Sequence, residues 1–112
     1  MRNHKSLSPE DLARKGPDKI ALMVASEFYR AAEGARYAND VTACFHRARE
    51  LMGVLETMAL PDEIAADMRP VYASCRASLL EKVARQDVSE IRAIAGDFAQ
   101  RFDWFGKRLC SI

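Results

Sequence analysis

Residues 41–58 read VTACFHRARELMGVLETM, and this stretch decides the fold class. Its apolar residues recur three or four positions apart, so they fall on one side of an α-helix. The opposite side carries His46, Arg47, Arg49 and Glu50, as in a helix with one face in a core and the other in water. The stretch therefore predicts an amphipathic helix whose apolar positions are Val41, Cys44, Phe45, Ala48, Leu51, Met52, Leu55 and Met58.

A second periodic segment precedes this helix. Gly16 is followed by Pro17 and Asp18, and a proline in the first turn beside an acidic residue is typical of a helix start. We predict that the first long helix runs from Pro17 to about Ala38, where Asn39-Asp40 breaks it and Asp40 caps the next helix. Its apolar stripe consists of Ile20, Val24, Phe28, Ala31 and Ala35.

Two further helices follow. Pro61 suits the first turn of the third helix, whereas Pro70 inside it predicts a kink or a restart near 66–69. Gln86-Asp87 ends this helix, and Asp87 with Glu90 starts the fourth. The third stripe is Ile64, Met68, Val71, Tyr72, Cys75 and Leu79, with Val83 at its margin; the fourth is Ile91, Ala95, Phe98, Phe102, Phe105 and Leu109.

The remaining N-terminal residues predict a small addition to these four helices. Ser8, Pro9 and Asp11 form a helix-start pattern, so we expect a short helix from about Ser8 to Lys15, with residues 1–7 mobile. Nothing alternates with the period of a strand. The 112 residues therefore predict a single all-α domain, an antiparallel four-helix bundle with a short extra N-terminal helix.

Composition argues against some classes of function. The formal net charge is +1, which gives no electrostatic basis for binding nucleic acid. No apolar stretch approaches the roughly 20 residues that span a bilayer, and the N-terminus lacks the apolar centre of a signal peptide. We therefore expect a cytoplasmic protein without membrane insertion. Cys44 and Cys75 lie on apolar stripes, which predicts reduced core cysteines, and Cys110 lies near the C-terminus.

Catalytic chemistry is not expected. The two histidines are His4, near the N-terminus, and His46, on the polar side of its helix. The chain has no glycine-rich phosphate loop, no Glu-x-x-His pair of a di-iron bundle and no Cys/His spacing typical of a metal site. We predict that the protein is not an enzyme and has no catalytic residue, cofactor or metal.

Apolar residues outside the stripes are more informative. On the first long helix they widen the apolar arc to roughly 200°, about twice what a surface helix needs. Either this helix is more central than its neighbours and the others are ordinary exposed apolar residues, or part of this surface receives an amphipathic helix from a partner. The candidate partner-binding residues are Ile20, Leu22, Met23, Tyr29, Tyr37, Val54, Leu80 and Trp104.

Several stretches, taken in order, resemble the flagellin export chaperones (the FliS family). Residues 16–23, GPDKIALM, are similar to the S-P-x-x-L-I-x-M-like opening of the family's first long helix. Residues 28–32, with an aromatic pair and two alanines, match the aromatic and small residues that follow it. Residues 48–55, ARELMGVL, are similar to A-x-x-I/L-x-x-x-L in the second helix.

The C-terminal half continues the resemblance. Residues 64–72, IAADMRPVY, are similar to the family's "IA…L/M…VY" opening of the third helix, and residues 80–87 resemble its L-x-x-A-x-x-x-D segment. Trp104 stands where a tryptophan ends the family's last helix. The chain departs from the pattern in two places: Gly16 replaces the serine, and residues 1–15 contain no aromatic residue.

The resemblance implies a cytoplasmic chaperone of flagellar export. Such proteins bind the C-terminal segment of newly made flagellin, prevent its premature polymerisation and assist its secretion. The alternative that we keep is a self-associating helical bundle, an adaptor or regulatory protein with another client, whose exposed apolar residues would meet a second copy in a homodimer.

Overall fold

The computed structural model describes residues 11, 14–85 and 88–111, and these form an all-α fold without a strand. Its four helices confirm the predicted helical bundle: α1 (Pro17–Glu33), α2 (Ala38–Thr57), α3 (Asp62–Arg85) and α4 (Val88–Cys110). In α3, side chains are described through position 75 and at 77. The predicted N-terminal helix lies mostly outside the described residues, although positions 11 and 14 are helical.

Helix α1 lies at the centre of the arrangement and packs along α4 and α2. Leu22 lies against Gly106 near one end of the α1–α4 pair, and Arg92 Nε donates a hydrogen bond to the Ala32 carbonyl at the other end, 3.4 Å away. The start of α1 therefore meets the end of α4, so these two helices are antiparallel. Helix α3 packs on α4, and its contact with α2 is the smallest of the helix contacts described.

The core is formed by the four predicted stripes. Every stripe residue whose side chain is described is buried, except Met58, which is half-buried and packs against the core. The side chains of Leu79 and Val83 lie outside the described part. Phe28 joins three helices, because its ring centroid is 6.1 Å from that of Phe45 on α2 and 5.8 Å from that of Phe98 on α4. Local apolar periodicity therefore predicted which face of each helix is buried.

The start of α1 requires a glycine. Gly16 precedes the first helical residue with φ 93° and ψ 152°, a backbone region that residues with a Cβ rarely enter. Its carbonyl accepts the hydrogen bond from the Ile20 N–H at 3.2 Å, so the residue begins the helix without a side-chain cap. This conformation explains why a glycine stands before Pro17.

The boundary between the first two helices was predicted wrongly. Helix α1 ends at Glu33 rather than near Ala38, and Gly34 begins a turn in which its carbonyl accepts from the Tyr37 N–H at 2.9 Å. Asn39 and Asp40 do not break a helix, because they lie in the first turn of α2. Glycine is a weak helix former, and the helical spacing of alanines on both sides of Gly34 concealed that signal.

The third helix decides against one of the two alternatives predicted for Pro70. It begins at Asp62, and Pro61 stands before it with its carbonyl accepting from the Ala65 N–H at 2.9 Å. Helix α3 continues through Pro70 without a break, so a restart near 66–69 is excluded. Pro70 and Ala66 are both exposed, which lets water hydrate the Ala66 carbonyl that Pro70 leaves without a donor.

Candidate functional site

The candidate partner-binding residues whose side chains are described differ in their exposure. Ile20 is fully buried, so its prediction as a partner contact is wrong: it lies on the side of α1 that packs into the core. Met23 and Val54 are half-buried and pack against the core. The Leu80 side chain lies outside the described part. The large apolar side chains left exposed are Leu22, Tyr29, Tyr37 and Trp104.

Leu22 and Tyr29 share one face of α1. They are seven residues apart, which places them only about 20° apart around the helix. Leu22 lies beside α4, since its Cγ would stand 2.9 Å from a Cβ built on Gly106. Both side chains are about two-fifths exposed, at 39% and 43%. They form a small apolar patch at the outer edge of the α1–α4 contact.

Trp104 forms a second exposed position, on α4. Its ring is 54% exposed and stands 5.5 Å from the ring of Phe105, measured between centroids. The Arg108 guanidinium lies 4.5 Å from the Trp104 ring centroid. The same guanidinium binds the Asp67 carboxylate of α3 at 2.8 Å. Trp104 is therefore held at the outer boundary of α3 and α4 by an arginine that connects the two helices.

This arrangement reduces the freedom of the tryptophan without burying it. Cation–π contact at an exposed site contributes about 0.5–1 kcal/mol, and an ion pair fixes the arginine that makes it. Roughly half of the Trp104 surface, on the order of 100 Å², still faces water. Burying that area against a partner would contribute about 2.5 kcal/mol. An aromatic side chain that is ordered before binding loses little entropy when it is buried.

Tyr37 lies in the turn between α1 and α2. It is exposed, and it precedes the first residue of α2, where its backbone carbonyl accepts from the Val41 N–H at 3.1 Å. Its side chain does not cap the helix. The short turn between α1 and α2 therefore presents Tyr37 to solvent.

A buried polar cluster between α1 and α2 was missed by the sequence reasoning. Glu27 is only 4% exposed, although it carries a carboxylate. Arg47 of α2 donates from Nε to Glu27 Oε1 at 3.0 Å, and Arg30 donates from Nη1 to Oε2 at 3.1 Å. The signal was available: Glu27 is seven residues after Ile20, which places it on the apolar side of α1. Burial of a charge demands such partners.

Cys44 completes this cluster. Arg47 Nη2 donates a hydrogen bond to its sulfur at 3.4 Å. Burial raises the pKa of the Cys44 thiol, and the negative charge of Glu27 raises it further, against the opposing effect of Arg47 and Arg30. The thiol form is therefore favoured. Because the thiolate is the reactive form, this cysteine is a poor nucleophile.

The described part of the chain offers no metal site or membrane span. It brings together no group of three or more His, Cys, Asp or Glu side chains that could hold a metal ion. None of the helices found there is long and apolar enough to cross a membrane. Of the two features that stand out, the Trp104 position offers exposed surface, whereas the Glu27 cluster is closed within the bundle.

Comparison with known proteins found no match among family models, curated proteins or solved structures.

Proposed function

We propose that this protein binds an amphipathic helical segment of another protein through exposed apolar side chains on the outside of the bundle. The main support for the proposal is the exposed position of Trp104. This residue is the single tryptophan of the chain, it stays half exposed, and Arg108 holds it in place. Tryptophan and arginine are the residue types most enriched where interfaces concentrate their binding energy.

The client that we propose is the C-terminal segment of flagellin. The support is the resemblance of about residues 15–106 to the flagellin export chaperones, together with a helical bundle that suits such a role. A client segment that is disordered alone folds when it binds, and apolar burial offsets the cost of ordering it. Such binding would cover the surface that polymerises and would assist export, as a cytoplasmic chaperone does.

Geometry limits how a client engages this surface. Gly106 faces α1 and Leu22, whereas Trp104 stands two residues earlier and thus about 160° away around α4. A single client helix has one apolar face, so it covers either the Trp104 position or the patch of Leu22 and Tyr29. A client that reaches both must contribute two segments.

The alternative is self-association. Leu22 and Tyr29 lie on one face of α1, so two copies placed about a two-fold axis would bury both pairs of side chains. This homodimer needs no client, and its formation depends on protein concentration. Sizing chromatography at several concentrations, with and without a flagellin C-terminal peptide, separates it from client binding.

The direct test is calorimetric titration of the protein with a flagellin C-terminal peptide. We expect Trp104→Ala to weaken the affinity by about 1–3 kcal/mol, because the peptide loses its aromatic contact. The matched control is Arg49→Ala, which truncates another exposed long side chain on the outer face of α2. It should leave the affinity unchanged.

Two results would contradict the proposal. One is a wild-type protein that does not bind the peptide while it dimerises with rising concentration. The other is a Trp104→Ala variant that binds as tightly as the wild type, which would exclude this tryptophan from the site and leave Leu22 and Tyr29 as the surface to test. A thermal melt of each variant checks that folding is retained.

A further inference from the structure

We infer that Arg47 is a latch that keeps helix α2 docked on α1. In the part of the chain that is described, α2 packs chiefly on α1, meets α3 over a much smaller surface and makes no substantial contact with α4. The position of α2 therefore depends mainly on one interface.

That interface contains a carboxylate in an unusual position. The Glu27 side chain is 5% exposed, and both of its oxygens receive a guanidinium N–H. Arg30 belongs to the same helix as Glu27, so its contact survives any movement of α2. Arg47 belongs to α2 and is the arginine that ties the carboxylate to that helix. Cys44 of α2 also lies in this cluster, where its sulfur accepts a hydrogen bond from Arg47, but its neutral thiol provides no charge to pair with Glu27.

Arg47 and Glu27 differ in how easily each side chain reaches water when its partner is lost. The Arg47 side chain is 38% exposed, so its guanidinium can turn to water if Glu27 is lost. Glu27 has no such route while α2 is docked, because it is covered. Removing one partner of a buried ion pair leaves a charge that favours solvent. For Glu27, reaching solvent requires α2 to separate from α1.

This asymmetry makes the latch distinct from ordinary packing. Without Arg47, the charged carboxylate drives local opening of α2, and the apolar stripe of α2 becomes transiently exposed. If the carboxylate is removed as well, no unpaired charge remains buried, and α2 docks again through apolar contacts alone. A double substitution should therefore restore what a single substitution loses.

The test is backbone amide hydrogen exchange on the full chain, resolved by helix. Arg47→Met keeps most of the side-chain length and removes the charge. We expect amides of α2 to exchange at least about tenfold faster than in the wild type, while amides of α4 change little. In the variant that carries both Glu27→Met and Arg47→Met, exchange in α2 should return close to the wild-type rate.

A matched control comes from α4. Arg101→Met removes an arginine that pairs with Asp97 at 2.9 Å, where both side chains are more than half exposed. It should leave exchange in every helix unchanged. Arg47→Lys, measured in parallel, keeps the positive charge with fewer donors and should give intermediate exchange in α2.

Three results would overturn the latch. These are equal acceleration in all helices of Arg47→Met, an unchanged rate in α2, and a double variant in which α2 exchanges as fast as in Arg47→Met. If Arg47→Met does not fold at all, a folded double variant with slow exchange in α2 supports the latch, and an unfolded double variant refutes it.

Discussion

The two long interfaces of α1 hold their partner helices by different means. Against α4, α1 relies on close approach: a Cβ built on Gly106 would stand 2.8 Å from Leu22 Cδ2 and 3.2 Å from the Asp18 carbonyl oxygen. Against α2, it relies partly on a buried ion pair, Glu27 with Arg47. The first interface is sensitive to added volume, and the second is sensitive to the loss of a charge partner. The packing of α1 can therefore be disrupted in two different ways.

Phe28 lies where these two interfaces meet, and its truncation should have the largest effect. Its ring contacts Phe45 of α2 and both Phe98 and Phe102 of α4. We expect Phe28→Ala to lower the free energy of unfolding by about 3–5 kcal/mol, because a large cavity forms in the core. Denaturant unfolding measures this loss. A single cooperative transition would show that α2 and α4 unfold together.

The control for Phe28 is a larger aromatic side chain at the surface. Trp104→Ala should lower the free energy of unfolding by less than about 1 kcal/mol, since Trp104 is 54% exposed and its contact with Arg108 is a cation–π pair at the surface. A loss at Trp104 that equals the loss at Phe28 would mean that Trp104 belongs to the core.

Two glycines on α4 allow a test of how closely α1 and α4 pack. Gly106→Ala should lower the free energy of unfolding by about 1–3 kcal/mol, because the new methyl group overlaps Leu22 and forces the helices apart. Gly96→Ala should raise it by about 0.5–1 kcal/mol, since no atom lies within 4 Å of the added Cβ and alanine is the better helix former. Thermal and denaturant unfolding of both variants test the opposite signs.

The contrast depends on position rather than on the substitution itself. If Leu22, which is partly exposed, moves aside freely, Gly106→Ala will be as harmless as Gly96→Ala. That outcome would refute close packing as the means by which α1 holds α4.

The smallest expected effect concerns the α1–α2 interface and its thiol. Burial beside Glu27 raises the pKa of Cys44 above its ordinary value of 9.0 in the folded protein. As the pH rises past that value, the unfolded chain releases this proton first, so folding stability falls. One proton limits the slope to about 1.4 kcal/mol per pH unit.

Comparison with Cys44→Ala isolates this effect. Unfolding by denaturant between pH 8 and pH 10 should show a shallower loss of stability in the variant, while lysines and tyrosines titrate alike in both proteins. Identical slopes would mean that the folded protein does not disfavour the Cys44 thiolate.

Much of the fold was predictable because burial follows local periodicity. Phe45, Leu51 and Phe102 each lie on an apolar stripe, and each is buried. The end of α1 was not predicted, because the turn at Gly34 competes with helical spacing that continues through Ala35. The outcome there depends on where α2 must begin in order to pack back on α1.

The candidate site was predicted less completely. Trp104 and Tyr29 were expected off the core, and both are exposed. Ile20 was assigned to a partner surface, yet it is fully buried. Glu27 was not singled out at all. Apolar character alone cannot distinguish a residue at a helix–helix interface from one beside it, because the difference is set by the neighbouring helix.

The sequence by itself determined four amphipathic helices, their stripes and the apolar side chains that remain outside those stripes. These properties follow from the 3.6-residue period and from breaking residues, which act within a few positions of the chain. Only the tertiary structure decided that Glu27 is buried with Arg47, that Leu22 lies against Gly106, and that Arg108 connects Trp104 to Asp67. Apart from Trp104 and Arg108, which lie four residues apart on α4, each of these contacts joins residues from different helices. Their distances depend on how whole helices pack, and no local pattern records that.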